Sequence, residues 1–183
     1  MTTSNYDTVV IDYKTGNVDS VIKAVKLYNN RVILSNDPNI IIKAKRLILP
    51  GQGSFDFGMK KLNEFNLIEL IKELALVKKL PILGICLGMQ VLADMGYENK
   101  KTNGLGLING EIIKIPTTLK LPHVGWNEVV LNKDNFLTSN IKNKTDFYFV
   151  HTYFFRCKKK NNVIGTSFYG TEFPTIVNEK NIF

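Results

Sequence analysis

The chain has 183 residues, of which 44% are hydrophobic and 22% are charged, and this balance fits one globular domain with a sizeable core. No apolar run approaches the roughly 20 residues of a membrane helix, and the N-terminus lacks the basic and apolar regions of a secretory signal. Two cysteines do not indicate a disulfide scaffold and favour a reducing cytoplasm.

The formal net charge of +8 raises the question of nucleic-acid binding. The sequence contains no nucleic-acid-binding motif and no row of aromatic residues spaced for base stacking, so we expect no nucleic-acid partner. A basic face for a phosphorylated metabolite or an acidic partner protein is the favoured interpretation. Two histidines and two cysteines, none at ligand spacing, predict no metal site.

Strands and helices alternate through the first hundred residues. Mostly apolar and β-branched runs predict strands at 7–13, 31–35, 46–50 and 81–86. Helical patterns are predicted at 18–29, at a short segment starting with Pro38, at 62–79, and from residue 87 to about 98. Unbroken apolar strands joined by helices predict a mostly parallel central sheet with helices on both faces.

The pattern changes after about residue 104. Closely spaced apolar segments separated by turn signals predict a β-rich second half, in part antiparallel, that packs on the first sheet or extends it. The predicted fold class is therefore α/β, with a mostly parallel central sheet and a β-rich C-terminal half in a single domain.

The segment GICLG, residues 84–88, matches the G-x-C-x-G form of a nucleophile elbow, at a predicted strand-to-helix turn. Such a turn strains the backbone of Cys86, and its flanking glycines allow close backbone approach. A helix N-terminus at Leu87 is expected to lower the pKa of the thiol and to direct the Leu87 N–H toward an oxyanion. A buried structural cysteine is the alternative, but the strand-to-helix context favours a nucleophile.

A second glycine-rich loop, PGQGS at 50–54, also ends a predicted strand. Because parallel strands end at one rim, this loop is expected to face Cys86, where a backbone N–H of Gly51, Gln52 or Gly53 could complete an oxyanion hole. The alternative is a plain turn. The loop does not match a phosphate-binding P-loop.

A cysteine nucleophile needs a general base within hydrogen-bonding distance. His123 and His151 are the candidates that the chain offers. Spacing alone favours His151, which lies in an aromatic strand, but for both residues a hydrogen-bonded structural histidine is the stronger interpretation.

Five segments together carry a resemblance to a known family. In chain order they are YKTGN, LPGQGSF, GICLGMQ, PHVGWN and YFVHTYFF. From about residue 8 to the end the chain resembles the class I glutamine amidotransferases, and PHVGWN and YFVHTY make it look like the glutaminase subunit of imidazole glycerol phosphate synthase. The resemblance implies a flavodoxin-like fold and one glutamine amidotransferase domain over residues 1–183.

The resemblance implies that Cys86 attacks the side-chain amide of glutamine and releases ammonia, leaving a γ-glutamyl thioester that water hydrolyses to glutamate. It implies no cofactor. It assigns the oxyanion hole to Gln52, Gly53 and Leu87. It assigns substrate binding to Gly51, Gln90, Glu98, His151, Thr152 and Tyr153. It assigns a partner-facing loop to Lys14, Thr15, Gly16 and Asn17, with a (β/α)8-barrel cyclase as the partner that uses the ammonia in histidine biosynthesis.

Two features depart from the family pattern. Gln52 stands where the oxyanion loop usually has a small apolar residue, and its polar side chain is expected to alter how the loop moves. The family's catalytic His and Glu lie on a His-Pro-Glu segment that follows a strand ending like residues 181–183, and no His-x-Glu occurs in this chain. We therefore expect a C-terminally truncated domain and negligible glutaminase activity from the 183-residue chain.

Four other interpretations stay open at this point. A DJ-1-like or peptidase-like cysteine protein would share the elbow, and His123 or His151 would have to supply its base. A paralogous subunit could supply ammonia for amidotransfer in surface-sugar synthesis. The glutaminase of pyridoxal phosphate synthesis is a weaker alternative, because PHVGWN is not typical of it. A non-catalytic subunit that docks on a synthase and regulates it would explain the missing His and Glu, although the intact elbow argues against it.

Overall fold

The predicted strands of the first half pair in parallel, as expected. The computed structural model describes residues 6–16, 18–28 and 31–183. Its first sheet consists of β1 (Thr8–Ile11), β2 (Val32–Ser35), β3 (Arg46–Leu49) and β4 (Ile82–Gly84), in the order β2-β1-β3-β4. All four residues of β1 are buried, so both faces of this strand are covered. Residues 181–183 run alongside β4, where Phe183 O accepts a hydrogen bond from Gly84 N at 2.8 Å.

Five helices accompany this sheet in the described residues: α1 (Val18–Lys26), α2 (Pro38–Ile41), α3 (Phe55–Glu64), α4 (Ile68–Leu76) and α5 (Leu87–Gln90). The predicted first helix ran to residue 29, which lies outside the described residues. The prediction of one helix over 62–79 is wrong. Asn66 adopts a φ of 54°, a left-handed conformation that asparagine tolerates, and Leu67 N donates back to Leu62 O at 2.9 Å. This turn ends α3, and α4 begins after it.

The elbow helix is much shorter than the predicted 87–98. After α5 the chain turns into the two-residue strand β5 (Met95–Gly96). The amides of residues 105–107 donate to the carbonyls of Val91, Leu92 and Ala93, at 2.8–2.9 Å. Those carbonyls are the ones that a continuing helix would have used, so a long-range backbone contact ends α5.

The second half contains seven further strands and is β-rich, as predicted. They are β6 (Thr102–Asn103), β7 (Gly110–Lys114), β8 (His123–Leu131), β9 (Thr145–His151), β10 (Tyr153–Cys157), β11 (Val163–Phe168) and β12 (Glu172–Val177). Two short 3-10 helices cover Phe136–Thr138 and Lys160–Asn162. The strands form two sheets, in the orders β10-β7-β5-β6 and β12-β11-β8-β9. All of their pairings are antiparallel except β5 with β7.

Two apolar clusters hold these layers together. The larger joins the parallel sheet to its helices and reaches Phe155 and Val177 of the second half. The smaller, around Ile115, Phe154 and Phe173, packs beneath β9. Among the described helices, none is long and apolar enough to cross a membrane.

Candidate active site

Cys86 lies on a strained turn between β4 and α5. Its φ of 56° and ψ of −114° belong to a conformation that residues with a side chain rarely adopt. A Cβ on Gly84 would lie 2.6 Å from Gly88 O, and a Cβ on Gly88 would lie 1.7 Å from Leu49 O. Both glycines are therefore required by close backbone packing, in the way that the elbow motif predicts.

The electrostatic environment of the thiol differs from the prediction. Although Cys86 is exposed at the cavity rim, the protein atoms packed around its sulfur raise the pKa of the thiol, and the nearby backbone N–H of Leu87 acts in the opposite direction. The expected lowering of the pKa by a helix N-terminus is wrong for this chain. The physical reason is that α5 has four residues, too few to build an appreciable helix dipole, so desolvation of the thiolate dominates.

The glycine-rich loop at 51–53 contacts the elbow. A Cβ on Gly51 would lie 3.1 Å from Leu87 Cβ and 2.5 Å from the hydroxyl oxygen of Tyr13. That hydroxyl donates to Pro50 O, and Tyr13 is 1% exposed. Gln52 and Gly53 are exposed, and Gly53 has a φ of 109°. The loop therefore lies against the residue that follows the nucleophile, within a backbone held by a buried phenol.

A cavity of about 450 Å³ opens between the elbow and the strands of the second half. Its walls are mostly apolar, and four of the predicted site residues line it: Cys86, Gln90, His151 and Tyr153. Gln90 Nε2 donates to Tyr153 O at 3.3 Å, which links the elbow helix to β10. The structure thus brings the predicted nucleophile together with three residues assigned to substrate binding.

The other predicted substrate-binding residues lie outside this cavity. Glu98 follows β5 rather than a helix, and its Oε2 accepts from Phe55 N at the start of α3, at 2.9 Å. Thr152 separates β9 from β10, and its carbonyl accepts from Ile115 N at 3.0 Å. Gly51 remains in the loop beside Leu87. The role of these three residues stays a prediction.

The predicted partner-facing loop follows β1. Lys14 pairs with Asp12 at 2.6 Å, Thr15 is 2% exposed, and Gly16 has a φ of 85°. A Cβ on Gly16 would lie 2.8 Å from Gln52 N, so this loop contacts the loop at 51–53. Asn17 lies outside the described residues.

Neither histidine is directed at Cys86 as a base. His151 Nδ1 lies 3.1 Å from Tyr153 O, and its Nε2 lies 3.0 Å from His123 Nδ1. His123 is 3% exposed, and its Nε2 lies 3.5 Å from Asn127 Nδ2. Burial lowers the pKa of both rings, so both are neutral at neutral pH. The pairing of His123 with His151 in the register of β8 and β9 was not predicted. Sequence reasoning had no signal for it, because the register is not readable from either segment alone.

No group of three or more His, Cys, Asp or Glu side chains in the described part of the chain is arranged to hold a metal ion. The polar groups that line the cavity include the Cys86 thiol, the Gln90 amide and the His151 imidazole.

A cysteine on a strained strand-to-helix turn at the rim of a parallel sheet, beside a glycine-rich loop, has the arrangement of a nucleophile elbow. A family model for class I glutamine amidotransferases matches residues 9–183. The chain therefore belongs to the class I glutamine amidotransferases.

Relatives within this family carry a more specific name. The chain is 43% identical over 178 residues to "Imidazole glycerol phosphate synthase subunit HisH 1" of Methanococcus maripaludis, covering 95% of this chain and 87% of that protein. It is 44% identical over 176 residues to the HisH 1 subunit of Campylobacter jejuni, with the same coverage. It is 44% identical over 174 residues to the HisH subunit of Lactococcus lactis, covering 95% of this chain and 86% of that one.

Two solved structures share the fold. A crystal structure of a glutamine amidotransferase superposes with a TM-score of 0.75 at 15% identity, covering 95% of this chain and 86% of that chain. A glutamine amidotransferase from Thermotoga maritima superposes with a TM-score of 0.59 at 17% identity, covering 91% and 72%. The α/β fold expected from the sequence is confirmed.

Proposed function

We propose that this chain is the glutaminase subunit of an imidazole glycerol phosphate synthase and acts in the cytoplasm. When a His-Pro-Glu segment supplies the base, it hydrolyses glutamine to glutamate and ammonia, and the ammonia passes to a (β/α)8-barrel cyclase that uses it in histidine biosynthesis. The observation that carries the proposal is the strained Cys86 elbow at the rim of a cavity that also holds Gln90, His151 and Tyr153. The likeness to HisH subunits over 95% of the chain supports the choice of pathway.

In the proposed reaction the sulfur of Cys86 adds to the carbonyl carbon of the glutamine side-chain amide. The C–N bond then breaks, and the nitrogen leaves as ammonia after it accepts the thiol proton through a base. Water adds to the resulting thioester, the C–S bond breaks, and the proton from water returns to the sulfur. Each half-reaction passes through an oxyanion, which needs donors placed in advance.

The donors proposed for this oxyanion are the N–H of Leu87 and a backbone N–H from Gln52 or Gly53. Contact of the loop at 51–53 with Leu87 supports this pairing. The residues proposed to hold the glutamine are Gly51, Gln90, Glu98, His151, Thr152 and Tyr153. Of these, Gln90, His151 and Tyr153 already face the cavity.

Because burial raises the pKa of Cys86, the thiol needs a base to react at neutral pH. Both histidines already use their ring nitrogens in other hydrogen bonds. We therefore propose that the base is supplied by a His-Pro-Glu segment following a strand like residues 181–183. These residues run beside β4, and Phe183 lines the same cavity as Cys86.

The proposed surface for the cyclase is the outer face of β8 and β9. Four large apolar side chains on this face are between 54% and 72% exposed: Val124, Trp126, Tyr148 and Val150. In the strand register Val124 faces Val150 and Trp126 faces Tyr148, so the four side chains form one apolar patch. A water-excluding contact is required if ammonia is to pass between subunits. The loop formed by Lys14, Thr15, Gly16 and Asn17 is proposed as a second segment that faces the cyclase.

The test measures glutamate release by the complex with the cyclase, for the 183-residue chain and for a version extended by a His-Pro-Glu segment. Cys86→Ala in the extended version is expected to reduce turnover by about 10⁴-fold or more. The 183-residue chain is expected to show negligible turnover. Near-normal turnover by Cys86→Ala would overturn the assignment of Cys86 as the nucleophile. If a glutamine-analogue electrophile fails to modify Cys86 even with the cyclase present, the chain is a non-catalytic binding subunit instead.

A further inference from the structure

A continuous chain of hydrogen bonds crosses the second half of the molecule and ends at the cavity. Asn127 Nδ2 donates to Phe168 O at 2.9 Å and lies 3.5 Å from His123 Nε2. His123 Nδ1 lies 3.0 Å from His151 Nε2, and His151 Nδ1 lies 3.1 Å from Tyr153 O. The same Tyr153 carbonyl accepts from Gln90 Nε2 at 3.3 Å.

The direction of every bond in this chain follows from its ends. A carbonyl oxygen only accepts, so His151 Nδ1 must carry a proton to bond Tyr153 O. A neutral His151 then has a lone pair on Nε2, which accepts from a proton on His123 Nδ1. Neutral His123 has its own lone pair on Nε2, which accepts from the second amide hydrogen of Asn127. All polar groups are satisfied only when both rings are neutral and carry their proton on Nδ1.

The rings are also fixed sterically. His123 stacks between Tyr169, at a centroid distance of 4.1 Å, and Phe149, at 5.0 Å. Phe173 meets His123 edge-on at 5.9 Å and lies 4.9 Å from His151. Neither ring can turn over without displacing an aromatic neighbour, so the hydrogen-bond chain is ordered before any ligand arrives.

We propose that His123 and Asn127 are positioning residues for glutamine binding, acting through His151 and the Tyr153 carbonyl to hold the Gln90 amide. With its nitrogen tied to that carbonyl, the Gln90 side chain keeps its oxygen available to accept a hydrogen bond from the substrate in the cavity. This inference rests on the proposed function, since it takes glutamine as the ligand of the cavity. It places His123 in the site although His123 does not line the cavity.

An added proton disrupts this arrangement. It leaves an N–H of His123 facing the NH₂ group of Asn127, whether the proton enters at His123 or at His151. Among the described residues, the titratable groups near the two rings are the phenols of Tyr153 and Tyr169 and, across the cavity, the thiol of Cys86. None of the three is a carboxylate, so none of them supplies the kind of anionic partner that favours a protonated imidazole.

The first test reads the tautomers directly in the full chain. With ring-¹⁵N histidine, His123 and His151 are assigned through the loss of one spin system in His123→Asn. Two-bond ¹H–¹⁵N spectra near pH 7.5 are expected to show the Nδ1–H tautomer for both rings. An Nε2–H tautomer at either ring would overturn the proposal.

The second test uses matched variants of the version extended by a His-Pro-Glu segment, in the complex with the cyclase. His123→Leu removes the donor to His151 and is expected to raise the KM for glutamine about tenfold with kcat within about threefold. His123→Asn keeps an N–H near the Nδ1 position and is expected to restore KM to within about threefold of wild type. An unchanged KM in a folded His123→Leu complex would overturn the proposal.

Asn127→Asp gives an independent readout if His123→Leu does not fold. Because a proton added to the pair disrupts the hydrogen-bond chain, the KM for glutamine is expected to rise as pH falls. A carboxylate beside His123 Nε2 favours protonation of His123, so this rise is expected to move to higher pH, which a merely structural role would not produce. If the pH dependence of KM is the same in Asn127→Asp as in the version without this substitution, the proposal is overturned. Absence of glutamine turnover by the complex of the extended version without substitutions would overturn the proposed function and this inference with it. An Nε2–H tautomer at either ring in a fully active complex would overturn this inference but not the proposed function.

Discussion

The two walls of the cavity are held in place by different kinds of contact. On the elbow side, Gly84 and Gly88 let backbone segments approach within distances that exclude a Cβ. On the strand side, β8–β10 place a partly buried line of side-chain hydrogen bonds behind the cavity wall. The predicted nucleophile is therefore positioned by excluded volume, whereas the residues proposed to bind glutamine are positioned by hydrogen-bond donors and acceptors. A Cβ added to Gly84 or Gly88 is expected to disrupt the elbow side of the cavity, whereas protonation of the histidines is expected to disrupt the strand side.

The largest effect is expected from Gly88→Ala. Its Cβ would lie 1.7 Å from Leu49 O, so β3 and α5 must separate. We expect a loss of more than about 4 kcal/mol in the free energy of unfolding, measured by urea denaturation. Gly106→Ala is the matched control, because its φ is 65° but its nearest neighbour would be 3.8 Å away, so only the left-handed backbone costs about 1–2 kcal/mol. Equal losses in the two variants would contradict the volume argument.

The next effect is the acid response of the strand side. Burial lowers the pKa of His123 and His151 in the folded state, from an ordinary value of 6.5. The unfolded chain therefore binds more protons below pH 6.5, and the stability contributed by the neutral pair is lost as pH falls through the folded pKa values. The free energy of unfolding is expected to fall by at most about 2.7 kcal/mol per pH unit from the two groups.

The control for this acid response is the double variant His123→Phe/His151→Phe. It is expected to lose the decline between pH 6.5 and about 5, above the range where carboxylates titrate. Chemical denaturation across this range measures the slope. The same slope in the double variant would assign the decline to other groups.

A smaller effect is expected from Tyr13→Phe, which leaves the buried Pro50 carbonyl without its donor. We expect a loss of about 1–3 kcal/mol in the free energy of unfolding at neutral pH. Burial raises the pKa of Tyr13 from 10.0 to about 12, so wild type loses stability as pH rises above 10, and the variant loses less there. Tyr28→Phe, at a phenol in a residue that is 92% exposed, is the control. Similar denaturation curves for the two variants would contradict the prediction.

The smallest effect on stability is expected from Trp126→Ala. The residue is 72% exposed and contacts Tyr148 edge-on at a centroid distance of 5.6 Å. The free energy of unfolding of the isolated chain is expected to change by less than about 0.5 kcal/mol. Binding to the cyclase, followed by titration calorimetry, is expected to weaken by about 2 kcal/mol or more. Phe136→Ala, 89% exposed and outside the β8–β9 face, should leave binding unchanged, and equal effects of both variants would refute the proposed surface.

Local pattern was sufficient for much of the first half. The four parallel strands, the elbow and its glycines, and the change to a β-rich second half were all predicted from apolar runs and turn residues. The two errors in helix bounds have different causes. The break at Asn66 is a local left-handed turn within one apolar pattern, and periodicity alone does not detect it. The early end of α5 depends on amides of residues 105–107, about which the pattern of the elbow segment carries no information.

The sequence by itself determined that a cysteine ends a buried strand between two glycines, within an α/β chain of the class I glutamine amidotransferases. Only the tertiary structure decided the environment of that cysteine, where desolvation outweighs a four-residue helix and raises the thiol pKa. The tertiary structure also decided the hydrogen-bond partners of the two histidines. The register of β8 with β9 places the two histidines side by side. Thr152 interrupts the strand between β9 and β10, and the Tyr153 carbonyl lies within hydrogen-bonding distance of both His151 and Gln90. The physical reason is that spacing specifies which residues share one strand face, whereas hydrogen-bond partners depend on which strands meet.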